Sequence, residues 1–347
     1  MERKQVISAF TQLGAVMQSL GKGNNFPGTS IGITEIEYSD LQRVINKQFQ
    51  FNGWFTKESV QQSLLALGEW LETNELEKWL TNYKWNEHPK KVGIIMAGNI
   101  PLVGFHDLLC VVLSGHTAIC KMSSDDKTLL PALVNVLYTF LPDLKNRIII
   151  SEGKIGEIEA VIATGSNNSM LYFEQYFGKY PHIFRKNRTS IAIIKGDETQ
   201  DDFKALGEDI FSYFGLGCRN VSHLLVPENY EFSTFFQGIF EYSDVINHFK
   251  YGNNYDYNKT VYLMNQLPLL DNNFLLLRES DELHSPLAMV HYHTYKNQEE
   301  LNQYLQLHEE SIQVISGKDY VPFGLAQKPQ LTDYADGVDT MEWLKNL

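Results

Sequence analysis

The sequence predicts an α/β protein of two lobes, a doubly wound parallel sheet followed by a second α/β unit. Three observations predict it. From Lys91 onward, short β-branched runs alternate with longer amphipathic stretches, the pattern of strand–helix–strand connections that build a parallel sheet covered on both faces. A second alternating set begins near Ser190. The chain has 347 residues, 43% of them hydrophobic and 20% charged, which is enough apolar material for one large α/β unit or two lobes, and unlike a disordered chain.

Residues 1–20 place Val6, Phe10, Leu13, Val16 and Leu20 at helical spacing, before a Gly/Asn/Pro loop from Gly21 to Gly28. Residues 56–80 read as mainly helical, with Thr56 capping one helix and Thr73 or Asn74 the next. The first lobe then runs through KVGIIMAG, PLVGFHDLLCVVLSG, TAICKM, TLLPALVNVLYTFLP, RIIIS, AVIATG and SNNSMLYFEQYF, strand and helix in turn. The second runs through SIAIIKGDE, a helix over about 200–214, GLGCRNVSHLLVP, further helices, the strands NFLLLRES and LAMVHYHTY, a helix from Gln298, and a tail containing VPFG. Such sheets bind ligands at the carboxyl ends of their strands.

A formal net charge of -13 opposes non-specific attraction to nucleic acid and to anionic membranes, so neither is an expected partner. No apolar run approaches the ~20 residues of a membrane span. The cysteines are Cys110, Cys120 and Cys218, an odd set that suits a reducing cytoplasm better than a disulfide framework.

Cys218 lies in Phe-Gly-Leu-Gly-Cys-Arg-Asn, where glycines permit a tight path after a helix and Arg219 can favour the nucleophilic thiolate. Cys110 and Cys120 sit among aliphatic residues and read as core. Asn99 follows a strand, so its amide can reach an oxyanion or satisfy its own turn. After AVIATG, backbone N–H groups at Gly165 and Ser166 can receive a phosphate, or Thr164 or Ser166 can cap the helix. The basic stretch from Lys179 to Arg188 can meet phosphates or form a solvated face. His223 reads as a strand residue of either orientation, and His291 with His293 lacks the partners of a metal site, so no metal is expected.

In this order, these segments resemble the aldehyde dehydrogenase superfamily, most closely its fatty acyl-CoA reductase (LuxC-like) branch, from about residue 90 onward. The resemblance implies a Rossmann-type cofactor domain, with the helical N-terminal segment, over 1–188, a catalytic domain over 189–325 and a tail over 326–347. It assigns Cys218 as nucleophile and Asn99 as oxyanion donor. It assigns cofactor contacts to Lys121 at the end of the second strand, to Thr164, Gly165 and Ser166, to Glu282 in ELHSP, and to Phe323 in Pro322-Phe323-Gly324. Lys121 with Ser123 and Ser124 can meet a 2′-phosphate, while Asp125 and Asp126 lie close enough to oppose it. The cofactor implied is NADPH, with NADH as the second choice.

One departure from the superfamily pattern bears on the reaction. Aldehyde-oxidising members carry a general-base glutamate where this chain has KNRTSIAII, with no acid. The chain therefore resembles a reductase of acyl-CoA, in which Cys218 exchanges one thioester for another and hydride then yields the aldehyde. An acyl-phosphate reductase and a cysteine acyltransferase or thioesterase stand as alternatives. Homo-oligomer formation and an acyl-donor protein partner are left open.

Overall fold

Residues 1–80 fold into four helices, α1 (Arg3–Gly21), α2 (Glu35–Phe51), α3 (Lys57–Trp70) and α4 (Thr73–Leu80). Val6, Phe10, Leu13, Val16 and Leu20 are buried, as the helical spacing of α1 requires. Thr56 caps α3 by accepting from the Ser59 N–H at 3.1 Å, whereas α4 begins at Thr73 itself, with Glu72 at the N-cap and no side-chain cap bond. The expected Thr73 or Asn74 cap is thus corrected by one or two residues. Helix α2 went unanticipated because its buried apolar positions, Tyr38, Leu41 and Ile45, are sparse. Its start was nevertheless written as a capping box, Thr34 with Glu37.

The computed structural model describes residues 1–347, except for the side chain of Asn167. They divide into two compact units, one of Met1–Lys186 with Gln330–Leu347 and one of Asn187–Pro329. In the first unit β1 (Lys91–Ile95), α5 (Phe105–Leu113), β2 (Thr117–Lys121), α6 (Leu129–Phe140), β3 (Ile148–Ser151), β4 (Ala160–Thr164), α7 (Asn167–Phe177) and β5 (His182–Arg185) follow in order. All pairings are parallel, in the strand order β3-β2-β1-β4-β5. The order reverses between β1 and β4, so the carboxyl ends of these two strands form the switch point where such sheets open a ligand crevice.

The residues after 330, expected as a tail, are integral to the first unit. Met341 and Leu344 of the last helix are fully buried in the same core as Phe10 and Leu109. His116 Nε2–H donates to the Leu344 carbonyl at 2.9 Å. Within the basic stretch Lys179 and Lys186 are exposed, as a solvated face would have them, but Arg185 is buried, with Nη1 2.5 Å from both Asp107 oxygens and Nη2 2.9 Å from the Thr340 hydroxyl, so this one residue is committed to the core and withheld from phosphates.

The second unit contains β6 (Thr189–Ile193), α8 (Gln200–Phe211), β7 (Val221–Pro227), α9 (Ser233–Gly238), α10 (Phe249–Met264), β8 (Leu270–Asp271), β9 (Leu276–Glu279), β10 (Met289–Tyr295), α11 (Gln298–His308) and β11 (Ile312–Ser316); α12 (Thr340–Lys345) closes the chain in the first unit. Its sheet runs β11-β6-β7-β10-β9-β8, parallel except for the β8/β9 pair. Near-continuous aliphatic runs such as Ile191–Ile194 and Leu224–Val226 are buried, as expected for strands covered on both faces. Among the described residues, no helix is long and apolar enough to cross a membrane.

Candidate active site

In the first unit, the residues assigned to the cofactor lie at the carboxyl ends of β2 and β4, on either side of β1, whose end carries Asn99, the residue assigned to the oxyanion. Asn99 lies four residues past β1 and is exposed. Lys121 is the last residue of β2, and its ammonium donates to the Gly153 carbonyl at 3.0 Å. Thr164 ends β4, and Ser166 caps α7 by accepting from the Ser169 N–H at 3.4 Å. The Gly165 N–H donates to the Arg185 carbonyl at 3.3 Å, so a phosphate there would compete with an existing bond.

The loops after β1 and β2 fit against each other without slack. A Cβ on Gly98 would stand 2.6 Å from Ser123 Oγ and 3.2 Å from Asp125 Cβ, so only glycine lets the Asn99 loop pass beside Ser123. Leu102 is in the left-handed region at φ 61°, strained for a branched side chain. Its N–H donates to the buried Asp126 carboxylate at 2.8 Å, which offsets that strain. Burial pushes the Asp126 carboxyl up to about 6, against hydrogen bonds from the Leu102 and Leu129 N–H groups that pull it down. The sequence reads Asp126 as a charge opposing a cofactor phosphate; the structure instead buries it against the Leu102 N–H, a partner in a different loop that the sequence does not reveal.

In the second unit, Cys218 is exposed, while Cys110 and Cys120 are fully buried. Burial pushes the Cys110 thiol well up and the Cys120 thiol up to about 12, which removes both as nucleophiles. The chain reaches Cys218 through a strained turn: Tyr213 (φ 51°), Phe214 (φ 59°) and Gly215 (φ 81°) are left-handed in succession. Two consecutive non-glycine residues there cost about 1–2 kcal/mol each, and such outliers persist only where surrounding bonds over-determine them.

Asn220 supplies those bonds. Its buried amide donates to the carbonyls of Asp209 (3.0 Å), Ile210 (3.3 Å) and Ser212 (2.8 Å), and its oxygen accepts from the Gly217 N–H at 2.8 Å. Ser190 Oγ donates to the Cys218 carbonyl at 3.0 Å. Arg219 Nε donates to the Ala326 carbonyl at 2.5 Å. The Asp209 carboxylate, also buried, accepts from Ser316 Oγ (3.1 Å), Gly324 N–H (2.9 Å) and Ala326 N–H (2.9 Å). Burial raises its carboxyl above the ordinary range, and the three donors hold it down in part. Phe323 is therefore half-buried on a loop pinned to α8.

The Glu282 side chain is exposed, and its backbone is pinned. Its carbonyl accepts from His223 Nδ1 (3.2 Å) and His291 Nδ1 (2.8 Å). A carbonyl only accepts, so both rings carry the proton on Nδ1, and His223 Nε2 is left to accept from the Tyr304 hydroxyl at 3.2 Å. Burial pushes His223 down to about 3. It is a neutral, fully engaged structural residue, not a base for Cys218. His293 pairs with Asp281 at 2.9 Å, apart from any cluster of three metal-binding groups among the described residues.

A scan against protein-family models and a search of curated proteins by sequence find no match. Solved structures do match. The chain is similar to lactaldehyde dehydrogenase from Escherichia coli, with a TM-score of 0.61 at 11% identity over 91% of this chain and 74% of that one. It is similar to aldehyde dehydrogenase 21 from Physcomitrella patens in complex with the reaction product succinate, with a TM-score of 0.66 at 10% identity over 100% of this chain and 84% of that one. An NAD-dependent aldehyde dehydrogenase from Sinorhizobium meliloti gives 0.63 at 11% identity, covering 90% and 74%. At such identities the likeness concerns architecture: the chain has the α/β fold of the aldehyde dehydrogenases.

Proposed function

We propose that the chain reduces an activated acyl group, a fatty acyl-coenzyme A, to its aldehyde by way of an acyl thioester on Cys218. The observation that carries this reading is the exposed Cys218 thiol, presented on a strained loop and braced by buried polar side chains. The Cys218 thiolate attacks the acyl carbon, and the coenzyme A sulfur departs with its bonding pair, so one thioester replaces another. The Cys218 backbone N–H and the Asn99 amide are the donors assigned to the oxyanion, each worth roughly 3 kcal/mol in comparable sites.

A nicotinamide cofactor, NADPH before NADH, supplies hydride when bound. Lys121, Ser123, Thr164, Gly165 and Ser166 are its assigned contacts in the first unit, at strand ends of the kind that accept such ligands. Glu282 and Phe323 are those assigned in the second. The segment where an aldehyde oxidiser would carry its base, KNRTSIAII, has no carboxylate, and Thr189–Ile193 within it form the buried strand β6. That favours thiolate exchange over hydrolysis, and the engagement of both His223 nitrogens removes the histidine five residues after Cys218 as a base for a thioesterase.

Mass spectrometry after mixing with acyl-CoA, without reductant, tests the reading. An acyl adduct on the Cys218 peptide, absent in Cys218→Ala and discharged by NADPH with loss of absorbance at 340 nm, is the expected result. Discharge by water alone would establish a thioesterase. Acylation only from an acyl phosphate would move the chain to that reductase class. No adduct from either donor would end the proposal.

A further inference from the structure

We infer that the carboxyl end of α8 is a two-part clamp, in which Asn220 is the positioning residue for Cys218 and Asp209 the positioning residue for Phe323. The roles of Cys218 and Phe323 rest on the function proposed above; the clamp itself rests on geometry alone.

Helix α8 ends at Phe211, and its final carbonyls lack partners within the helix. Asn220 takes three carbonyls of this segment on one amide nitrogen and returns its oxygen to the Gly217 N–H, one residue before Cys218. It thus fixes both ends of the left-handed Tyr213–Gly215 turn, whose strain would otherwise be released by moving the loop that carries the sulfur. No other residue type supplies both two amide donors and a carbonyl acceptor in so short a side chain.

Asp209 sits on the same segment and faces the other way along the chain. Its carboxylate takes two consecutive-turn N–H groups, at Gly324 and Ala326, on either side of Leu325 and immediately after Phe323. Ser316 Oγ adds a third donor from the end of β11. Gly324 is left-handed at φ 81°, and a Cβ there would stand 3.2 Å from the Ala205 carbonyl, so the loop lies directly on α8. Ala326 joins the two halves: its N–H donates to the Asp209 carboxylate and its carbonyl accepts from Arg219 Nε, on the neighbour of Cys218.

A merely structural role predicts that loss of either side chain weakens everything together; a clamp predicts a split. Asn220→Ala is expected to slow single-turnover acylation of Cys218 by about tenfold and to change the Kd for NADPH by less than about twofold. Asp209→Asn keeps the shape and removes one acceptor; it is expected to raise the Kd for NADPH by about tenfold and to change acylation by less than about threefold. Hydrogen exchange on the full chain supplies a readout that needs neither substrate nor cofactor. In the native protein, the Gly217, Gly324 and Ala326 amides are expected to be protected; Asn220→Ala should release Gly217 alone, and Asp209→Asn should release Gly324 or Ala326 alone. Unprotected amides in the native protein, or equal losses from both variants in every measurement, would overturn the clamp. Failure of native acylation with the exchange split intact would overturn the reductase reading and leave the clamp standing.

Discussion

Replacing Asp126 by asparagine isolates the electrostatic cost of burying the carboxylate that holds the Asn99 loop. Asp126 is 3% exposed, so solvent screens it little. Its carboxyl moves from 3.8 to about 6. Roughly two units at 1.36 kcal/mol each give about 3 kcal/mol. The sign follows from the direction of the shift. A raised pKa means that the folded chain holds the proton more tightly than the unfolded one, so this contribution is fully present below the unfolded value near 4. It is lost as pH rises through about 6. Asparagine keeps an acceptor for the Leu102 N–H and does not titrate. Denaturant unfolding of both proteins from pH 4 to pH 8 should therefore show the wild type losing up to about 3 kcal/mol relative to Asp126→Asn, most of it between pH 4 and 6. All other titrating groups cancel in the difference. A difference that stays flat, or that favours the wild type as pH rises, would refute the assignment of Asp126 as a desolvated carboxylate.

Other consequences are as direct. Under native conditions iodoacetamide should label one thiol per chain, Cys218, because the other two are buried with raised thiols; labelling of Cys110 or Cys120 before unfolding would contradict their burial. Arg185→Met leaves the Asp107 carboxylate buried without its partner and should cost about 3–5 kcal/mol, while adding Asp107→Leu should recover most of that. His223 has its pKa lowered to about 3, so the stability it brings is present above about 6.5 and is lost as pH falls. His223→Phe should reduce the acid sensitivity of unfolding by roughly 2 kcal/mol at pH 5, and an unchanged slope would show that the ring is not held neutral.

Most strands of the two sheets were legible because buried parallel strands are written as short aliphatic runs, and KVGII, TAICK and AVIAT leave little else for them to be; the edge strands β5, β8 and β11 were not legible, being short or only alternately buried. Cys218 stood out by its neighbours, glycine and arginine in place of aliphatics. The roles of Asp126, Asp209 and Asn220 were illegible for a common reason. Each is a polar residue buried with hydrogen bonds to backbone groups, and a backbone N–H or carbonyl has no side-chain signature to search for; Asp209 answers to amides more than a hundred positions away. Within the basic stretch only Arg185 misled, because it is charged in the sequence and neutralised in the core. Its partner Asp107 lies in a segment that reads as an apolar helix.

Because Gln330–Leu347 returns to the unit begun by Met1, the continuous segment 187–329 is an insert within a split host, and the order of synthesis matters. Every strand of the insert is translated before the host's closing helix. Until then Arg185 lacks the Thr340 hydroxyl, His116 lacks the Leu344 carbonyl, and the place of Met341 and Leu344 in the host core is unfilled. The part of the chain made first is thus completed last, and its open apolar seam is the surface a nascent chain exposes to chaperones or to its neighbours.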